Sequence, residues 1–259
     1  MPADLQPVAT TDDALLGGKL MLRQPAHGHR AGHDAILLAA ASAARSGERI
    51  ADLGAGVGQA GLALAMRAKA GGVDRLDLVM IERDPALAAL AERNAKTNGI
   101  AARAVTLDLG APAASFADHG VGPDSVDRVL MNPPFNDASR HQTSTQPLRS
   151  SAHIAAGGTL DIFVHAARRI LKPSGTLTLI WRADGLGDVL QSLARGFGSV
   201  AIVPVHSRDD GDAIRILVAA VKGGRGPLVV KRGLVLQLAS GKPTSQADEI
   251  LQGNAAIEL

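Results

Sequence analysis

The sequence predicts a doubly wound α/β fold: a seven-stranded, mostly parallel sheet whose last strand pair is antiparallel. Three observations predict it. Strand-like and helix-like segments alternate from about residue 31 onward. The strand-like segments are near-continuous apolar runs, as parallel strands covered on both faces require. The residues with chemistry to offer (Asp52, Glu82, Asp108 and Asn132) each close such a run, and open α/β sheets bind ligands beyond the carboxyl ends of their strands.

Arg49 to Leu53 is a short strand running into a glycine-rich turn, and Gly58 to Ala70 is an Ala/Leu-rich helix. Leu76 to Ile81 is a strand closed by Glu82. Pro85 to Asn98 reads as a helix with Asp84 as N-cap, Pro85 at its first position and Gly99 as the stop. Ala102 to Leu107 and Val126 to Met131 are strands closed by Asp108 and Asn132. Thr159 to Leu171 is a helix stopped by Lys172-Pro173-Ser174-Gly175, Thr176 to Trp181 a strand, and Leu186 to Phe197 a helix. No helix-length segment separates Val200–Val205 from Ala213–Val221, so these form an antiparallel pair joined through residues 208–212.

Outside this pattern lie residues 1–30, expected to form a small ribbon or cap, and residues 223–259, a basic extension with a short helix near Gln246 to Leu251. The central unit spans 31–222. Residues 136–158 form a long polar connection, of a length often tied to function.

Composition excludes several classes of function. There is no cysteine, hence no disulfide or thiolate chemistry. No apolar run approaches the roughly 20 residues that span a bilayer, and residues 1–13 lack a signal-peptide pattern. A soluble, cytoplasmic protein is expected. The net charge of +2 permits an acidic partner without demanding one. With no Tyr, one Trp and four Phe, a sheet that stacks successive bases on exposed rings is not expected.

Asp52-Leu53-Gly54-Ala55-Gly56-Val57-Gly58 sets alternating glycines between strand and helix, where a ligand can approach the backbone. Gly56-x-Gly58-x-x-Gly61 also satisfies a dinucleotide fingerprint, with Glu82 near its ribose-binding position. Three observations favour S-adenosylmethionine. Asp52 suits an ammonium group, no phosphate partner is evident, and the Asn-Pro-Pro-Phe segment has no place in hydride transfer. Glu82 can accept from both ribose hydroxyls, or be a solvated surface acid. Asp108 can accept from the adenine amine, or cap a following helix.

Asn132-Pro133-Pro134-Phe135 is the most informative segment. Proline lacks an N–H and has a fixed φ, so the chain cannot continue a sheet ladder and its carbonyls are free to accept. The Asn132 amide adds another acceptor and Phe135 a flat apolar face. Two acceptors and a ring suit a planar group bearing an NH2, an adenine amine or a side-chain amide. A strand-end turn and ordinary core packing are the structural alternatives.

Together, the glycine loop and Asn132-Pro133-Pro134-Phe135 resemble the class I methyltransferases that modify amino nitrogens. Thr11-Asp12-Asp13-Ala14-Leu15-Leu16-Gly17-Gly18, Gln24-Pro25 and Arg30 to Ala39 are similar to the valine-tRNA adenine-N6 methyltransferases, and the similarity extends to Ala247–Leu251. The resemblance implies a Rossmann-like methyltransferase fold, S-adenosylmethionine as cofactor and tRNA or another RNA as partner. Asn132, Pro133 and Phe135 would act at the acceptor amine, and the segment Gly32-His33-Asp34 would lie beside the cofactor pocket. His33 stands where a small hydroxyl residue is commoner, and Phe135 where family members often have Tyr. A glutamine-amide methyltransferase would use the same acceptors, and a small-molecule methyltransferase or a non-catalytic module binding the cofactor or RNA are the further alternatives.

Arg140, His141, Arg149 and His153 on the long connection, and Lys222, Arg225, Lys231 and Arg232 further on, are candidate phosphate contacts, although a solvated surface charge is the more ordinary reading of any one of them. His27, His29, His33 and Asp34 carry no recognised metal spacing, and neither do Asp209, Asp210 and Asp212. No metal is expected.

Overall fold

The computed structural model describes residues 9–26, 32–134 and 148–259, with side chains from 158 onward in the last segment. A two-stranded antiparallel ribbon, β1 (Thr10–Leu15) and β2 (Leu20–Pro25), comes first. Then follow α1 (His33–Ala41), β3 (Arg49–Leu53), α2 (Gln59–Ala70), β4 (Asp77–Glu82), α3 (Pro85–Thr97), β5 (Ala102–Thr106), α4 (Ala113–Asp118) and β6 (Val126–Met131). After them come α5 (Leu148–Ile170), β7 (Leu171–Arg182), α6 (Leu186–Leu193), β8 (Phe197–Arg208), β9 (Ala213–Lys222), β10 (Val229–Val230), β11 (Leu234–Gln237) and α7 (Ser245–Leu251).

Strands β3 to β9 form one sheet in the order β5-β4-β3-β6-β7-β9-β8, and β9 alone among them runs antiparallel to its neighbours. These are the seven strands the sequence predicts. The sheet has nine strands because the short β10 and β11 add to the outer edge of β8, both parallel to it. The alternation of each strand sends side chains to two faces. Leu78 and Met80 join one apolar layer with α1, α2, α3 and α7. Val79 and Ile81 join another with α4, α5 and α6. Among the described residues, no helix is long and apolar enough to cross a membrane.

Local chemistry sets the start of α3. Asp84 Oδ1 accepts from the N–H groups of Ala86 and Leu87 and starts α3, with Pro85 at its first position. Three boundaries depart from the sequence reading. Helix α5 extends back to Leu148, through Gly157-Gly158. Strand β7 begins at Leu171, because Lys172 to Gly175 forms a bulge: Leu171 pairs with Val126, and Thr176 with Arg128. Phe197 opens β8 rather than closing α6, after Gly196 turns the chain at φ 107°.

The ribbon and the C-terminal segment pack on the same body. Lys19 Nζ donates to the Gln252 carbonyl at 3.1 Å and to Asn254 Oδ1 at 2.7 Å. Leu16, Leu20 and Leu22 share an apolar layer with Ile250 and Ile257.

Candidate active site

Strand order reverses between β3 and β6, neighbours in space whose chains lead off to opposite sides. Leu53 pairs with Met131 across this boundary and with Ile81 on its other side. The next residues, Glu82, Gly54 and Asn132, therefore leave three adjacent strand ends in a row, about 4.8 Å apart along the sheet. The glycine loop and the Asn132 turn are thus side by side.

Parallel strands end together at one edge, and here the loop is shaped by what lies under it. Gly54 has φ 68°, and a Cβ there would stand 2.8 Å from the Phe163 ring of α5. Gly56 has φ 56° and would meet nothing within 4 Å, so it faces open space. The loop amides are held by strand-end acids. Glu82 Oε2 accepts from the Gly56 N–H at 2.9 Å, and its Oε1 from the Asp84 N–H at 3.0 Å. Asp52 lies beneath the loop, only 2% exposed, and its Oδ2 accepts from the Gly61 N–H in the first turn of α2 at 2.8 Å. Burial pushes the Asp52 carboxyl up to about 7, against the Gly61 hydrogen bond, and the nearby Glu82 charge adds to the rise. Among the described residues neither acid has an ion-pair partner.

Asn132 is half-buried and makes no side-chain hydrogen bond among the described residues. Pro133 is buried and Pro134 exposed; Phe135 lies outside the described residues. Asp108 is exposed at the end of the β5 segment, and its Oδ1 accepts from the Gly110 N–H at 2.7 Å. The cap of α4 is Pro112, so the helix-cap alternative for Asp108 falls. Asp34 accepts from the Arg215 guanidinium of β9 at 2.9 Å. Its neighbour Gly32 accepts at its carbonyl from Gln59 Nε2 at 3.0 Å, which joins the start of α1 to the helix that follows the glycine loop.

The predicted basic cluster is split. Lys222 sits at the opposite edge of the sheet, bonded to Asp124 and to the Leu171 carbonyl. Arg225, Lys231 and Arg232 are exposed. Arg140 and His141, His27 and His29, and the side chains of Arg149 and His153 lie outside the described residues. Among the described residues no group of three or more acidic or histidine side chains could hold a metal ion.

Two contributors escaped the sequence reading. Phe163 packs against the glycine loop, and Asn94 of α3, 1% exposed, bonds to the loop carbonyl of Val57 and to both backbone groups of Arg23. A polar residue on the apolar stripe Ala88-Ala91-Ala95 was the available signal for Asn94.

A doubly wound sheet with a glycine loop and unpaired acids at its reversal point defines a cofactor-binding α/β enzyme. Residues 33–208 match the family described as Methyltransferase small domain, and the chain belongs to it. The tRNA1(Val) (adenine(37)-N6)-methyltransferase of Serratia proteamaculans is 26% identical over 222 residues, 83% of this chain and 79% of that protein. The release factor glutamine methyltransferase of Chlorobaculum tepidum is 28% identical over 62% of this chain, which spans only 54% of that relative. A crystal structure described as a predicted O-methyltransferase from Agrobacterium tumefaciens superposes with a TM-score of 0.72 at 28% identity, covering 87% of this chain and 99% of that one.

The protein is an S-adenosylmethionine-dependent methyltransferase. The residues present fit that cofactor, which is cationic. Among the described residues, two acids without a counter-cation sit under and beside the loop, and nothing lies within 4 Å of a Cβ built on Gly56.

Proposed function

We propose that the chain methylates an amino nitrogen, the exocyclic N6 of an adenine in tRNA, with work in the cytoplasm. The placement of Asn132 carries this reading: an amide with no side-chain partner among the described residues, at the strand end beside Gly54 and followed by two prolines. The relative from Serratia, matched over most of both chains, is named for that reaction.

S-adenosylmethionine supplies an electrophilic methyl group. The chain's part is to present the amine, whose lone pair is otherwise delocalised into the ring. Asn132 Oδ1 and the Pro133 carbonyl accept its two N–H bonds, so the nitrogen can pyramidalise with its lone pair toward the loop. Positioning of this kind supplies on the order of several kcal/mol. The same carbonyl dipoles stabilise positive charge developing on nitrogen. Phe135 stacks on the base, which has to leave its stack in folded RNA. Glu82 accepts from the cofactor ribose hydroxyls, Asp108 from its adenine amine, and Asp52 and Asp34 support the loop and the mouth of the pocket.

A primary amide fits the same acceptors, and the Chlorobaculum relative favours a glutamine as the second reading. Labelled methyl transfer to total RNA and total protein in parallel, followed by nucleoside analysis, tests the choice. N6-methyladenosine in tRNA is expected, and RNA binding should weaken steeply with salt. Label in protein alone would overturn the RNA reading.

A further inference from the structure

We infer that Asn94 is a positioning residue that holds the cofactor loop in its binding geometry and ties that loop to the N-terminal ribbon. The inference rests on the cofactor and not on the acceptor, so it stands or falls separately from the choice of RNA.

Val57 is flanked by Gly56 at φ 56° and Gly58 at φ 88°. With no Cβ on either side, the peptide planes next to Val57 rotate at little steric cost. The Val57–Gly58 peptide is instead fixed at both ends. The Gly58 N–H donates to the Ala55 carbonyl at 2.8 Å, and the Val57 carbonyl accepts from Asn94 Nδ2 at 2.9 Å. Glu82 holds Gly56, one residue earlier. Without Asn94 the carbonyl loses its partner, and a rotated peptide could project into the space over Gly56.

The same amide reads the ribbon. Asn94 Oδ1 accepts from the Arg23 N–H at 2.8 Å, and Nδ2 donates to the Arg23 carbonyl at 2.9 Å. All of its hydrogen-bonding groups are engaged, at 1% exposure, where an unmade bond is costly. One turn along α3, Asn98 repeats the grip on the ribbon. Its Oδ1 accepts from the Met21 N–H at 2.8 Å, and its Nδ2 donates to the Met21 carbonyl at 2.6 Å. Asn98 donates its remaining bond to the Asn94 carbonyl and not to the loop. The chain thus contains its own control: two asparagines clamp the ribbon, and one of them also clamps the loop.

Calorimetric titration with S-adenosylmethionine, paired with thermal unfolding, separates the roles. Asn94→Ala is expected to raise Kd about tenfold, and Asn98→Ala to lower Tm while leaving Kd within about twofold, since a buried hydrogen bond to the loop is lost only in the first. Asn94→Asp keeps the acceptor for the Arg23 N–H and loses the donations to both the Val57 and the Arg23 carbonyls, so it should raise Kd likewise; it is the second variant if the alanine one does not fold. Wild-type affinity in a folded Asn94 variant, or an equal rise in Kd for Asn98→Ala, would overturn the inference.

Discussion

The two edges of the sheet are built by opposite electrostatic rules. At the amino edge four ion pairs tie neighbouring segments together: Arg49 to Asp77 at 2.8 Å, Arg128 to Glu48 at 2.7 Å, Lys172 to Asp127 at 2.7 Å and Lys222 to Asp124 at 2.7 Å. At the carboxyl edge, around the reversal of strand order, Asp52 and Glu82 are buried with backbone N–H groups as their partners. The amino edge pairs its charges, acid to base. At the carboxyl edge Glu82 beside the loop and Asp52 under it have no ion-pair partner among the described residues, which disfavours anions there and favours a sulfonium carrying an ammonium group. The contrast is local to the reversal point, since further along the carboxyl edge Arg215 pairs with Asp34 and Arg182 with Asp184.

The comparison can be broken from either side. Asn132→Ala should reduce methyl transfer by about two to three orders of magnitude, the cost typical of removing a group that stabilises developing charge. Cofactor affinity should stay within about threefold, and an equal loss of binding and transfer would refute the assigned role. Glu82→Ala removes the acceptor for Gly56 and, on the proposed reading, for the ribose. Its Kd for S-adenosylmethionine should rise roughly tenfold or more, since hydrogen bonds to a charged group are among the stronger ones; unchanged affinity by calorimetry would dismiss the contact.

Asp52 gives a pH signature. Its carboxyl is raised to about 7 from an ordinary 3.8. Between these values the folded protein keeps a proton that the unfolded chain has released, so stability falls as pH rises through that window and levels off above it. The rise corresponds to at most about 4 kcal/mol. Denaturant unfolding without cofactor at pH 5 and pH 8 should show the part of this drop above pH 5, at most about 3 kcal/mol, and Asp52→Asn, whose Oδ1 still accepts from Gly61, should flatten it. The smallest effect belongs to the amino edge. Lys222→Met should cost about 1 kcal/mol of stability and leave cofactor affinity untouched; a change in Kd would show that the two edges are not independent.

Much of this was legible in the sequence, for identifiable reasons. The Asp84-Pro85 start of α3 and the limits of β6 are local signals and were found. The seven-stranded framework follows from the alternation, and so does the placing of Asp52, Glu82, Asp108 and Asn132 at strand ends; that Glu82, Gly54 and Asn132 stand side by side depends on the order β4-β3-β6, which no local pattern encodes. What escaped depends on contacts between distant segments. Lys172 to Gly175 reads as a break because it is one locally, although β7 goes on pairing with β6 beyond it in a shifted register. Strands β10 and β11 are too short to show a period. Nothing in the neighbours of Asn94 announces that its amide meets the backbone of Arg23 and Val57. The position of Lys222 required knowing that β9 runs against β7.

The pairing of Leu53 with Met131 has a kinetic consequence. The loop after β3 and the turn after β6 are adjacent in space, yet α2, β4, α3, β5 and α4 all lie between them in the chain. A growing or partly folded polypeptide can make the first half of the pocket early, but the half that presents the acceptor amine arrives only after these intervening units have docked. Contacts of such long sequence separation form slowly. Methyl-transfer activity should therefore be the last property to return on refolding, well after helical signal has recovered.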